Sequence, residues 1–183
     1  VWLPATIARK KMSAILDFYR GTGGNGSGWR MDEVLAWSDA ELEADHEYIQ
    51  WLFPLPEKSM ANPWAPVLDK PTIASFHNDA SLKEALRGSF IRMLAFYGFD
   101  FAGDAVVPAP DFAAKAINWL TPSNHNHLRL TRMMRSLRVL GLETEAQALW
   151  QALQLVYAGE AGQMSISERT YKFWTRAATE AMK

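Results

Sequence analysis

Six side chains in two short stretches have the types and spacing for ligand chemistry. His46, Gln50 and Trp51 belong to Asp45-His46-Glu47-Tyr48-Ile49-Gln50-Trp51-Leu52-Phe53-Pro54-Leu55; His125, Arg129 and Arg132 belong to Asn124-His125-Asn126-His127-Leu128-Arg129-Leu130-Thr131-Arg132. Each arginine presents a planar fork of N–H donors, and the second stretch opens a helix whose N-terminus adds positive potential. That combination suits a carboxylate or a phosphate. His125, Arg129, Arg132 and Ser136 follow at i, i+4, i+7 and i+11, a polar stripe. Leu130, Met133, Met134, Leu137 and Leu140 form a separate apolar face, while Leu128 and Val139 border the stripe and are expected to shield it. In the first stretch, a helical step of about 100° makes His46 and Gln50 neighbours on an aromatic surface. Trp51, Phe53 and Leu55 fall toward the core, and Trp51 with Trp64 has the bulk to wall a pocket.

Each residue also has a purely structural role open to it. His46 would suit a buried histidine bonded to a carbonyl. Arg129 and Arg132 would suit ion pairs with Asp45, Asp69 or Asp79, holding helices together.

Other chemistries find little support. The four histidines, His46, His77, His125 and His127, lack the i, i+4 spacing of a helical metal site, and there is no cysteine to complete one. No metal and no cofactor is expected. The glycine run from Gly21 to Gly28 lacks a preceding strand and a following Gly-Lys-Ser/Thr, so it is expected to be a flexible connector and not a phosphate loop. No Gly-x-Ser-x-Gly elbow marks a nucleophile. Arg129, Arg132, Arg135 and Arg138 wrap round their helix, and the net charge is −1, so no nucleic-acid partner is expected.

The elements that must position these residues are predicted to be helical. The chain has 183 residues, 49% of them hydrophobic, with eight Trp and nine Phe, enough for the core of one all-α globular domain of about seven or eight helices. Helices are expected over Ile7–Arg20 and Met31–Trp37. The capping box Ser38-Asp39-Ala40-Glu41 opens one that carries the Tyr48–Trp51 segment to Pro54. A proline-studded extended loop follows. Ile73–Phe76 is a short helix, and Ser81-Leu82-Lys83-Glu84 opens another that Gly98 ends. Residues 99 to 110 are expected to form a loop. Asp111 starts a short helix to Trp119, Ser123 or Asn124 caps the arginine-bearing helix to Leu140, and Thr144 begins one ending at Gly159. Ser165-Ile166-Ser167-Glu168 opens the last, toward Lys183. No apolar run approaches the roughly 18 residues a membrane span needs, so a cytoplasmic protein is expected.

The ordered series Phe18-Tyr19-Arg20, His46 to Leu55, Asn62-Pro63, Ala65-Pro66, Met93-Leu94-Ala95-Phe96-Tyr97-Gly98 and His125 to Glu143 resembles the conserved region of the opioid growth factor receptor family, over about residues 15 to 155. The resemblance implies signalling receptor activity, binding of a short opioid peptide, and, for animal members, a nuclear or nuclear-envelope location. It supplies no catalytic residue. His127 stands where the family pattern leads one to expect Asn, which leaves His125, Arg129 and Arg132 as the better site candidates.

The function expected is therefore a binding module, holding a small anionic or peptide ligand between the Tyr48–Trp51 segment and the Arg129–Arg132 helix. Two alternatives stand beside it: an enzyme on a phosphorylated or nucleotide-like substrate, with His46 or His125 as acid or base, and a scaffold for a protein partner.

Overall fold

The structure, a computed structural model, describes residues 13–60 and 62–180. Helix α1 (Ala14–Tyr19) buries Ile15, Leu16, Phe18 and Tyr19 as its sequence predicts; the expected start at Ile7, like the far end at Lys183, lies outside the described residues. The glycine run that follows is a hydrogen-bonded turn instead of a free connector. Buried Asn25 accepts from the N–H groups of Ser27 and Trp29 through its side-chain oxygen, and Thr22 and Gly23 donate to the Asp17 carbonyl.

Helices α2 (Met31–Leu35), α3 (Asp39–Ala44) and α4 (Tyr48–Leu52) come next. The capping box forms at Ser38, whose N–H donates to the Glu41 carboxylate at 2.7 Å. The single helix expected to run on to Pro54 is broken. Asp45 adopts extended backbone, and its Oδ1 accepts from the N–H groups of Glu47 and Tyr48 at 2.7 and 3.0 Å. An aspartate that bonds the backbone ahead of it offers a local alternative to the helix, and here that alternative wins.

Beyond the proline loop, α5 (Lys70–Asn78) is longer than predicted. Asp69 caps it through Thr72 N–H at 2.8 Å, and Pro71 sits harmlessly in the first turn. Helix α6 (Ala80–Tyr97) is capped by Asp79, which accepts from Ser81 N–H, so the expected box at Ser81 does not form; Glu84 pairs with Arg87 instead. Gly98 ends α6 in the left-handed region at φ +82°, as expected.

Residues 99 to 110 correct the all-α expectation. They contain an antiparallel hairpin, β1 (Phe99–Ala102) with β2 (Ala105–Pro108), in the register Phe99 opposite Pro108. Phe101 packs on Phe90, and Phe99 packs on Phe112 and Trp119. The fold is thus largely helical with a small two-stranded sheet.

Helix α7 (Phe112–Ala116) precedes the central helix α8 (Asn126–Val139). Leu130, Met133, Met134, Leu137 and Leu140 are all fully buried, confirming the predicted apolar face. Helices α9 (Glu143–Ala158), α10 (Glu160–Ser165) and α11 (Glu168–Thr179) complete the order. Ser167 caps α11 through Thr170 N–H, whereas Ser165, expected to open it, ends α10. The described residues thus form eleven helices instead of seven or eight: the helix predicted from Ser38 to Pro54 is split at Asp45 into α3 and α4, and α10 forms where none was expected. Helices α9 and α11 pack on α8, and the buried Trp174 of α11 donates its indole N–H to the His127 carbonyl at 2.9 Å. No helix among the described residues is long and apolar enough to cross a membrane.

Candidate functional site

The break after α3 sets the site. His46 falls in it, exposed, with Nδ1 3.1 Å from the Ala44 carbonyl. Across from it His125 occupies the N-cap position of α8. Their rings lie with centroids 5.2 Å apart, tilted by 39°. The two stretches, separated by some eighty residues of sequence, therefore meet side by side.

Arg129 is the tie that brings them together. Its side chain is 5% exposed. One guanidinium nitrogen donates to the Leu42 carbonyl at 3.1 Å and to Asn126 Oδ1 at 3.2 Å; the other donates to the Asp45 carbonyl at 2.7 Å. Glu43 approaches at 3.6 Å, and the Tyr48 ring lies beneath, 5.3 Å from the guanidinium carbon. The expected carboxylate partners Asp45, Asp69 and Asp79 are replaced by Glu43 and by main-chain carbonyls. A charge so nearly desolvated is stable only because every side of it is answered.

Arg132 is arranged differently. It donates to the Phe53 carbonyl at 3.1 Å but enters no salt bridge among the described residues. Burial, then the neighbouring Arg135 charge, pull its pKa down, and Glu57 only partly opposes them. It is a cation held partly out of water with hydrogen-bonding capacity to spare.

These groups line a cavity of about 560 Å³ between α4 with its following loop and α8, with Phe173 of α11 closing one side. His46, Gln50, His125, Arg129 and Arg132 all face it. Trp51 does not: it is buried at 7% exposure and packs on Phe18, ring centroids 5.4 Å apart. Trp64 also stands away, 92% exposed. Gln50 is buried and its Oε1 accepts from Asn62 Nδ2 at 3.3 Å. His127 points elsewhere, its Nε2 3.0 Å from the Trp119 carbonyl, in a packing role. Leu128, expected to shield the polar stripe, is 66% exposed at the mouth beside Met60.

Several lining residues escaped the sequence reading. Lys58 and Arg135 add positive charge, and Glu57, bridged to Arg135, supplies the lining's one carboxylate. Lys58, Arg129, Arg132 and Arg135 thus face Glu57 alone in a chain whose net charge is −1. Glu43 and Asn126, which buttress Arg129 from behind, were likewise unmarked. Glu43 had one available signal, its place in the alternating acids Asp39, Glu41, Glu43, Asp45 and Glu47. Phe173 had none.

The histidines complete the electrostatics. Desolvation, then the Arg129 charge, hold the His125 imidazole below its usual pKa despite Glu43 Oε1 3.1 Å away. Near neutral pH His125 is therefore uncharged, a hydrogen-bond donor or acceptor according to tautomer and not a further cation. No group of three or more His, Asp or Glu among the described residues is placed to hold a metal ion. What the arrangement can do is bind: a cationic floor, a polar wall of two imidazoles and a carboxamide, and an apolar lip.

Comparison with known proteins supplies the remaining context. Residues 8–172 match the family model described as the opioid growth factor receptor conserved region. The chain is 41% identical over 105 residues to the rat opioid growth factor receptor, covering 56% of this chain and 18% of that protein. Against the human opioid growth factor receptor it is 35% identical over 122 residues, covering 64% and 18%. Against the rat opioid growth factor receptor-like protein 1 it is 38% identical over 112 residues, covering 57% and 22%. The matched stretch is thus about a fifth of each relative's length. No solved structure matches the chain.

Proposed function

We propose that this chain, which belongs to the opioid growth factor receptor conserved-region family, is a binding domain that holds an anionic group of a peptide in the cavity between α4 and α8. The observation that carries this reading is Arg132: a partly desolvated guanidinium on the cavity wall, with no salt bridge among the described residues. A carboxylate or phosphate entering there gains a fork of charge-assisted hydrogen bonds in a partly water-excluded setting. The lip favours a peptide over a bare ion. Leu128, Met60 and Phe173 are exposed beside the cationic floor and offer an apolar side chain somewhere to pack. The relatives' name, receptor for an opioid growth factor, points to the same ligand class. His46, His125 and Gln50 would orient the ligand, and Arg129 would shape the floor while holding the two stretches together.

The test is thermal unfolding of the protein against inorganic phosphate, small carboxylates and peptides with free C-termini, Tyr-Gly-Gly-Phe among them. A ligand at about 100 times its dissociation constant adds roughly 2.7 kcal/mol, which for a chain of this size raises the midpoint by about 5–10 °C. The shift is expected to vanish in Arg132→Gln, whose own unfolding should stay cooperative. No shift from any anion or peptide would remove the reading.

A further inference from the structure

On the other side of the break after α3, a second hollow carries the opposite chemistry. It has a volume of about 350 Å³ and is lined by Trp29, Trp37, Glu41, Ala44 and Asp45. The two indoles meet edge to face, 82° apart with centroids separated by 5.6 Å, and make a corner that lines the hollow. Trp29 is 46% exposed, so its ring is open to solvent.

The carboxylates beside the corner are available. Residues 39 to 47 carry Asp39, Glu41, Glu43, Asp45 and Glu47 and no lysine or arginine. Asp39 is paired with Arg92 and Lys115, and Glu43 with His125 and Arg129. Glu41 and Asp45, the two that line the hollow, enter no salt bridge among the described residues. Each spends one oxygen on the chain: Glu41 Oε2 accepts from Ser38, and Asp45 Oδ1 accepts from Glu47 and Tyr48 N–H. The Ser38 bonds hold the Glu41 carboxyl below its ordinary pKa, so it is charged at neutral pH. Nor does the chain fill the corner itself. The cation–π contacts among the described residues are those of Arg129 with Tyr48 and Arg169 with Phe173, and no lysine or arginine lines the hollow. Arg92 donates to the Trp37 carbonyl and Arg129 to the Asp45 carbonyl, so each meets the main chain of a lining residue and not its side chain.

We propose that this hollow is a binding site for an alkylammonium group, the side-chain ammonium of a lysine or its methylated form. Indole faces attract a cation through their quadrupole, most strongly of the aromatic side chains, and carboxylates at the rim add direct attraction. An uncharged or anionic group would find neither a donor nor a positive charge among the lining side chains beyond the indole N–H groups.

The experiment is a titration followed by the indole N–H resonances of Trp29 and Trp37, assigned with Trp29→Phe and Trp37→Phe. The ligands are lysine amide, Nε-trimethyl-lysine amide and tetramethylammonium chloride, each against sodium chloride at matched ionic strength. Both indole signals are expected to move saturably with the ammonium compounds and not with sodium. Trp29→Ala should weaken binding about 2–5-fold. Glu41→Gln should weaken it several-fold while keeping the helix cap, since glutamine also completes a capping box. Tighter binding of the trimethyl form assigns the main attraction to the indoles, and tighter binding of lysine amide assigns it to the carboxylates; either supports the site. Shifts that sodium chloride reproduces, or equal binding by a folded Trp29→Ala protein, would overturn it. Neither result bears on the anion cavity, whose test uses Arg132.

Discussion

The guanidinium of Arg129 donates to the main-chain carbonyl of Asp45 at 2.7 Å, fastening the central helix to the point where the third helix breaks. The bond makes the anion cavity and the break one structure. Removing the side chain strands the Leu42 and Asp45 carbonyls and takes a donor from Asn126 Oδ1 and a cation from Glu43. Arg129→Ala is expected to cost about 3–5 kcal/mol of stability, read as a fall in the urea midpoint at unchanged slope. A loss below about 1 kcal/mol would show that the guanidinium is dispensable to the fold.

Gly98 offers a test of the far end of the core. Its φ of +82° is open to glycine, and a Cβ there would stand 2.8 Å from the Phe112 Cα in α7. The clashing atom is backbone and the next nearest is Lys115 Cβ at 3.1 Å, so no far end of a flexible side chain is there to yield. Gly98→Ala combines a left-handed penalty of about 1–2 kcal/mol with that clash, so a loss above about 2 kcal/mol is expected in chemical denaturation. By contrast Gly103→Ala, at φ +67° with open space around it, should cost only the first part. Equal losses at the two positions would contradict the packing of α7 against the turn.

What could be read from the sequence followed the strength of the local signal. The apolar face of α8 was legible because five large side chains repeat at helical spacing and all five are wholly buried. The Ser38 capping box was legible because its two bonds are local. The Asp45 break was not. Helical periodicity continues through it, and the competing signal is one aspartate, whose carbonyl also accepts from Arg129 some eighty residues away. The hairpin was missed because Phe99–Ala102 and Ala105–Pro108 are each four residues long, too short for alternation to stand out. The cavity's cationic floor was half visible in Arg129 and Arg132. Glu57, Lys58 and Phe173 join it only through tertiary packing, and Trp51 leaves it because Phe18 claims its ring.

The histidines predict a pH dependence with a definite sign. Burial holds both His127 and His125 below the usual imidazole value, which the unfolded chain recovers at about 6.5. Between the folded and unfolded values the unfolded chain binds more protons, so stability rises with pH in that window and falls as pH drops below about 6.5. The carboxylates with lowered values, Glu41 and Asp79 among them, titrate at lower pH. The urea midpoint is expected to be lower at about pH 5.5 than at about pH 7.5, and the difference should shrink in His127→Gln. Identical midpoints at both values, or an undiminished difference in both His127→Gln and His125→Gln, would exclude the histidines as its source.

Glu57 is the one carboxylate on the anion cavity, and it already occupies Arg135. Both side chains are about half exposed, 41% for Arg135 and 56% for Glu57, so the bridge contributes at most about 1 kcal/mol to stability. Its cost to an incoming anion is larger in proportion, because it cancels a cation next to Arg132 and repels a second negative charge. Glu57→Gln is therefore expected to leave the unfolding midpoint nearly unchanged while tightening the binding of phosphate or a peptide carboxylate by about 3–10-fold, a gain that calorimetry would resolve and that should fade as salt is raised. Arg132→Gln in the same background should abolish the gain. Unchanged or weaker anion binding in Glu57→Gln would place the ligand's charge away from Arg132 and Arg135, and with it the cavity floor that these two arginines form.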